Sequence, residues 1–315
     1  MGPPNSNHIA FVFPGQASQR AGMAAALLEQ EPAARPVFAK AAEVLELDLA
    51  GSCSDGSEEQ LTHTEIAQPA LLTTSLAWLA VLRERGVAAR LLAGHSLGEF
   101  GAWVASGALD FENALTLVRR RGRLMAEAGQ RNPGSMLAIV GLPDDEVLGI
   151  CRQASRAGVL AAANFNSPGQ VVVSGQMPAL EEARELAKSA GGRAIPLKVS
   201  GAFHSPLMSE AAGAFAELLV SLPIGDPQIP VVANATADVV SDAQAARRAM
   251  AEQMTSPVLW TTSVQRMIAD GIRLFVEVGP GHVLSNLIAR ISADVRARPV
   301  GTPAELQTLL EEVLP

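Results

Sequence analysis

Two cysteines in 315 residues, Cys53 and Cys151, are too few for a disulfide scaffold and stand at no metal-ligand spacing. They could close one disulfide at most, and a reduced, cytoplasmic setting is the expectation. Aromatic residues are scarce at 4%, and positive charge is in deficit: Asp+Glu 32 against Lys+Arg 24 gives a net charge of −8. So acidic a chain, with so few rings to stack on bases, is excluded as a nucleic-acid binder. Long apolar runs are missing too. The first, Ile9 to Phe13, is too short for a secretory signal and follows no basic segment. The richest, ALLTTSLAWLAVL at 70–82, reads as too short and too hydroxylated to cross a bilayer, so no membrane partner is expected. There is no fixed-period repeat and no low-complexity tract. What remains is 48% hydrophobic and can bury a sizeable core, as one large domain or two smaller ones.

Apolar strand-like runs alternate with amphipathic helical patterns, which predicts an α/β fold with parallel strands. The strand candidates are HIAFVF (8–13), ARLLAG (89–94), IPVVAN (229–234) and IRLFVEVG (272–279). A last helix is announced by Thr302, Pro303 and Glu305, which suit a cap, a first helical position and a capping box. Between about 134 and 200 the texture changes. SMLAIVG, DDEVLGICRQAS, VLAAANF, GQVVVSG, PALEEARELAKSA and RAIPLKV read as β-α-β-β-α-β, a complete ferredoxin-like unit. Inserted into a parallel α/β chain, it predicts a second lobe and a cleft between the two, where small-molecule sites tend to lie.

Residues 91–103, LLAGHSLGEFGAW, change from an apolar run to Gly94-His95-Ser96-Leu97-Gly98 and then to helix formers. A buried strand turning sharply into a helix needs such a sequence, with glycines where a Cβ would clash and a serine at the apex. Gly-x-Ser-x-Gly alone is equally a capped strand–helix junction, so a catalytic serine needs a base and an oxyanion site. Five histidines are available. His8 precedes the first strand, His63 lies in polar surroundings, and His95 adjoins Ser96 in a turn, where it is expected to pack or orient the elbow. His282, in EVGPGHVLSN, reads as structural. His204, in KVSGAFHSPLMSE, falls where the chain leaves the small lobe for the large one, at the cleft. FVFPGQASQ at 11–19 breaks a strand at Pro14-Gly15 and exposes Gln16. A backbone N–H there, paired with that of Leu97, could hold an oxyanion, although an ordinary loop accounts for the same residues.

In the helical pattern 111–129, Ala114, Leu117, Val118, Leu124, Met125 and Ala128 form an apolar stripe, and Arg121 falls within it. Arg119, Arg120 and Arg123 fall off it and read as a solvated face. A buried guanidinium must be paired, and no carboxylate on its own helix is well placed. A substrate carboxylate would satisfy it with a two-toothed fork.

FPGQASQ, GHSLGEF, the arginine in VRRRGRLM, ANFNSPGQVVVSG, GAFHS and VGPGHVL stand in the order and spacing of malonyl-CoA:acyl carrier protein transacylases and the related polyketide acyltransferases. The resemblance covers residues 9 to 290. It implies an α/β-hydrolase-like large subdomain, 1–131 and 203–315, with a ferredoxin-like small subdomain, 132–202, inserted. It also implies Ser96 as the nucleophile and His204 as its base. Gln16 and Leu97 become backbone oxyanion donors, Arg121 the partner of the malonyl carboxylate, and Gln253 the residue whose carbonyl orients the histidine. That carbonyl would explain why no Asp or Glu stands out as a third triad member. The implied substrates are malonyl-CoA, a CoA thioester, and a phosphopantetheinylated acyl carrier protein, with no metal and no bound cofactor. A free-standing monomer acting on carriers in trans is the expectation. Around the base the chain reads Gly201-Ala202-Phe203-His204-Ser205, unlike the Val-Pro-Ser-His of many fatty-acid members. It is similar to malonyl-selective polyketide acyltransferases, which makes Phe203 a selectivity candidate. The alternatives are an acyl hydrolase, an acyltransferase for another extender unit, and a catalytically silent carrier-docking protein. Lys188, Arg193, Arg119, Arg120 and Arg123 are candidates for docking an acidic carrier, against the stronger reading of scattered surface charge.

Overall fold

The computed structural model describes residues 8–62 and 64–314; His63 lies outside them. Its strands, in chain order, are β1 (Ile9–Phe13), β2 (Leu91–Gly94), β3 (Ser135–Val140), β4 (Leu160–Ser167), β5 (Gln170–Gly175), β6 (Arg193–Pro196), β7 (Val231–Val232), β8 (Val239–Val240), β9 (Leu274–Val278) and β10 (Arg296–Val300). Six of them form one sheet in the order β10-β9-β1-β2-β7-β8, parallel except for β8. The inner strands β1, β2 and β7 read as continuous apolar runs because both faces of this sheet are covered. Along β1, Ile9, Phe11 and Phe13 enter the core on one face while Ala10 and Val12 enter the core on the other.

The remaining four strands form a separate antiparallel sheet in the order β4-β5-β3-β6. With the helices Asp144–Ala154 and Met177–Ser189 between its strands, this is the ferredoxin-like β-α-β-β-α-β arrangement. The fold is therefore α/β-hydrolase-like with a ferredoxin-like insert, as expected. The insert is tied back to the large sheet's side of the molecule. Val258 exchanges backbone hydrogen bonds with β4: Phe165 N–H donates to Val258 O at 2.9 Å and Val258 N–H to Ala163 O at 2.8 Å.

Three expectations are corrected. The run 229–234 yields only Val231–Val232 as strand, because Ala233 N–H turns to Asp238 O and the chain folds back as the antiparallel β8. The strand β10 was not anticipated. Its RARPV sequence is half polar, and as an edge strand it tolerates Pro299 and sends Arg296 and Arg298 to Glu312 on the final helix. The segment 70–82 belongs to a longer helix, Thr64–Glu84, whose stretch Ile66–Glu84 is long and apolar enough to span a membrane. That stretch is 83% buried within the protein, against Phe111–Arg131 among others, so its apolar surface is already spent on the core. Cys53 and Cys151 are both buried and free, each thiol pushed up by burial, to about 12 and about 11.

Candidate active site

The adjacent parallel strands β1 and β2 end side by side, at the sheet edge where ligands of open α/β folds collect. After β2 the chain turns through His95 and Ser96 into the helix Gly98–Ala105. A Cβ at Gly94 would strike the Gly98 backbone, and one at Gly98 would strike the Phe13 carbonyl, so only glycine fits either flank. Ser96 itself is held left-handed at φ 52°, a strained state for a residue with a Cβ. Its N–H donates to Asn234 Oδ1 at 2.7 Å, and Asn234 Nδ2 donates to Gly94 O at 2.6 Å. Asn234, just past β7, thus clamps the turn. Sequence reasoning missed it, although a polar residue ending a buried run was the available signal.

His204 reaches the serine from the loop between β6 and the helix Ser209–Ser221. Ser205 Oγ donates to Ala202 O at 2.6 Å and caps the following turn, holding a buried loop in which His204 is also left-handed, φ 54°. Ser96 Oγ and His204 Nε2 lie 2.7 Å apart. On the other side of the ring Nδ1 faces two backbone carbonyls, Gln253 O at 3.0 Å and Ser256 O at 3.1 Å. Facing two acceptors, Nδ1 carries the proton, which leaves Nε2 free to accept one from the serine. Burial, then the charge of Arg121, then His95, push the imidazole down to about 3. His204 therefore stays neutral in the native state while the unfolded chain takes up a proton near its ordinary value of 6.5. The resulting stability is full above that value and is lost as pH falls through the interval down to about 3. Between pH 7 and pH 5 wild type should lose about 2 kcal/mol more than His204→Ala does. Urea midpoints of the two proteins at those pH values check this, and identical losses would mean the ring protonates freely when folded.

Arg121 is buried, 1% exposed, in the stripe where the helical period placed it. Among the described residues no carboxylate lies within ion-pair distance of it. Its Nη1 donates to Gln68 Oε1 at 3.1 Å, its Nη2 to Gln253 Oε1 at 2.9 Å and to Ser96 Oγ at 3.3 Å, and it lies 5.5 Å from the centre of the Phe100 ring. The guanidinium therefore points at the nucleophile, with neutral partners only. Burial lowers it to about 10 against the opposing pull of Glu99, so it remains charged at neutral pH. Glu99, Gln68 and Ser256 were not legible as site residues beforehand.

A cleft of about 240 Å³ opens onto the pair, lined by Gln16, Ser96, Met125, Met136, Phe203, His204 and Lys198 among others. Among the described residues, neither the Gln16 nor the Leu97 backbone N–H has a hydrogen-bond partner, whereas the Ser96 N–H is used by Asn234. Both unpartnered donors follow the carboxyl ends of neighbouring strands, the arrangement an oxyanion hole requires. His95 turns away from the nucleophile: Nε2 meets Asn166 Oδ1 at 2.8 Å, and the ring packs on Trp260. It links the elbow to β4. His282 sits apart from the cleft and pairs with Glu305 at 2.6 Å, and His8 meets the Gly271 carbonyl. Of the docking candidates, Arg119 donates to Leu45 O at 2.9 Å, while Arg120, Arg123, Lys188 and Arg193 are exposed. No group of three or more His, Cys, Asp or Glu among the described residues could hold a metal.

Chemically, this is a serine with a proton acceptor, two unpartnered N–H donors past neighbouring strands, and a buried cation 3.3 Å from the serine oxygen. Residues 10–302 match the acyl transferase domain family, and the chain belongs to it. Its relatives narrow the class. The malonyl CoA-acyl carrier protein transacylase of Bacillus subtilis is 44% identical over 310 residues, 96% of this chain and 98% of that protein, and that of Escherichia coli is 41% identical over 305 residues, with 96% and 99% covered. Among solved structures, an acyl carrier protein S-malonyltransferase from Vibrio cholerae superposes with a TM-score of 0.93 at 42% identity, covering 96% of this chain and 99% of that one. A type II PKS acyl-carrier protein in complex with its malonyl-transacylase matches with a TM-score of 0.94 at 42% identity over the same shares.

Proposed function

We propose that this chain transfers a malonyl group from malonyl-CoA to the phosphopantetheine thiol of an acyl carrier protein, through a malonyl ester on Ser96. The observation that carries this reading is Arg121, a buried cation 3.3 Å from the nucleophile and without a carboxylate of its own. An acyl group ending in a carboxylate supplies what the site lacks.

Ser96 Oγ attacks the thioester carbonyl as its proton passes to His204 Nε2. The Gln16 and Leu97 N–H groups hold the oxyanion, and the carbonyls of Gln253 and Ser256 hold the imidazolium by its Nδ1–H. Collapse breaks the C–S bond, CoA leaves with the proton from His204, and the malonyl ester remains. The carrier thiol then gives its proton to His204 and attacks the ester, and Ser96 departs and recovers its proton. Protons and electrons close over the two halves, so the reading calls for no redox cofactor and no metal. Phe203, buried beside the base and lining the cleft, disfavours a branch at the α-carbon. Products of this transfer are extender units for fatty-acid or polyketide synthesis. Two buried free thiols suit a reducing compartment, and we place the protein in the cytoplasm.

The test is an intact mass after mixing the protein with malonyl-CoA, first alone and then with a phosphopantetheinylated carrier. A malonyl adduct that persists alone and moves to the carrier is expected. Fast release of free malonate without a carrier would replace this reading by hydrolysis, and no adduct at all would remove the covalent route.

A further inference from the structure

We infer that Glu99, whose carboxyl touches neither the nucleophile nor the base, is a positioning residue that sets malonyl selectivity by fixing the Gln253 amide. The inference rests on the malonyl-transfer reading and names a further member of that site.

Glu99 is the second residue of the helix Gly98–Ala105 and is 0% exposed. A fully buried carboxyl is costly where any apolar side chain would pack more cheaply, so its presence needs an account. Its one side-chain partner is Gln253, whose Nε2 donates to Glu99 Oε2 and, at 2.9 Å, to Ser96 O. The other end of the same amide, Oε1, accepts from Arg121 Nη2 at 2.9 Å. An amide can be turned end for end, and sterics alone do not choose between its two faces. The charges on either side do. An ionised carboxylate only accepts and a guanidinium only donates, so with Glu99 on one flank and Arg121 on the other a single orientation satisfies both. In that orientation Arg121 is drawn to Gln253 and aimed at Ser96 Oγ. The main-chain carbonyl of the same Gln253 meets His204 Nδ1. Glu99 thus secures from behind the side chain that holds the selectivity cation, while the Gln253 main chain that meets the base is held separately as the C-cap of the helix Ala243–Glu252, its N–H donating to Ala249 O.

Glu99→Gln keeps the shape and removes the compulsion. The new amide can present N–H₂ as well as oxygen to Gln253, so the charged acceptor pinning Gln253 Nε2 is lost and the amide is left with Ser96 O and Arg121 alone, a looser hold on the cation. The expected result is a fall of about 10- to 100-fold in kcat/KM for malonyl-CoA, the worth of a charge-assisted hydrogen bond, with acetyl-CoA turnover changed by no more than about twofold. Equal losses on both substrates would mean that Glu99 merely holds the fold, and would overturn the inference.

A second arm needs no variant. Burial raises Glu99 to about 7, against the lowering effects of Gln253, the Asn234 backbone and Arg121. Of the other titratable groups around it, Arg121 on Phe111–Arg131 is held at about 10 and His204 on its loop at about 3, while burial keeps His95 below its ordinary value. The malonyl carboxylate stays ionised above pH 6. Going from pH 8 to pH 6 takes the Glu99 carboxyl from mainly charged to mainly neutral, and Glu99→Gln reports whatever other groups contribute over the same interval. The malonyl-to-acetyl ratio of the wild type should fall over that interval and should be flat in Glu99→Gln. A flat wild-type ratio overturns the inference. Absence of malonyl transfer in the wild type would instead overturn the functional reading beneath it, so the two failures are distinct.

Discussion

Ser96→Ala takes up no malonyl group from malonyl-CoA and remains folded. Serine at this position already bears the strain of a Cβ at φ 52°, and alanine has the same Cβ, so the turn is no worse off. The clamp from Asn234 grips the backbone N–H and the Gly94 carbonyl, neither of which the substitution touches. What disappears is the oxygen 2.7 Å from His204 Nε2. The two residues act as one unit, and loss of either member of such a unit costs at least about 10⁴-fold in turnover. An intact mass after incubation with malonyl-CoA, beside a thermal melt matching wild type, gives the result directly. A full-yield covalent adduct on the folded variant would sink the assignment of Ser96.

Arg121→Ala should lose malonyl transfer by roughly two to four decades while keeping or gaining acetyl transfer. The guanidinium lies in a buried site, faced by amides and the Phe100 ring, where a carboxylate without its cation would be desolvated and unpaired. Breaking such a pair costs about 3–5 kcal/mol, and each 1.36 kcal/mol is about tenfold in rate. An acetyl group brings no carboxylate and gains from removal of a lone cation. The measurement is kcat/KM for malonyl-, methylmalonyl- and acetyl-CoA in both proteins. Parallel losses on malonyl and acetyl would show that Arg121 supports Gln253 and Gln68 but not the substrate. A wild-type preference for methylmalonyl would remove the role given to Phe203.

How much of this was legible beforehand follows from the range of each interaction. The elbow could be read because its cause is local: Gly94 and Gly98 are required by atoms a few residues away and by the strand beneath. Arg121 could be placed because the helix Phe111–Arg131 is amphipathic and its period marks one face. The small sheet declared itself through complete strands and helices in series. Glu99 could not be found this way. Its helix is buried almost all round, so no stripe separates inside from outside, and an acidic residue in a first turn has an ordinary explanation in the helix dipole. Gln68, Asn166, Asn234 and Ser256 escaped for a related reason. Each acts on a partner far off in sequence, through one side-chain amide or one carbonyl, and neither leaves a periodic trace. The edge strand β10 escaped because it is stabilised by ion pairs with the last helix rather than by apolar alternation.

The strand order has a consequence for how the molecule is made. β1 lies in the middle of the large sheet, yet its two neighbours are β2 and β9, and β9 is synthesised almost at the other end of the chain. During synthesis β1 and β2 can pair early, but the outer edge of β1, apolar on both faces, waits for nearly the whole protein. The inserted antiparallel sheet, whose strands are close in sequence, can form meanwhile. Non-local parallel pairing closes slowly and leaves a strand edge open to other chains until it does. The edge of β1 therefore stays open to other chains until β9 is made, and dilution from denaturant should yield more folded protein at low concentration than at high.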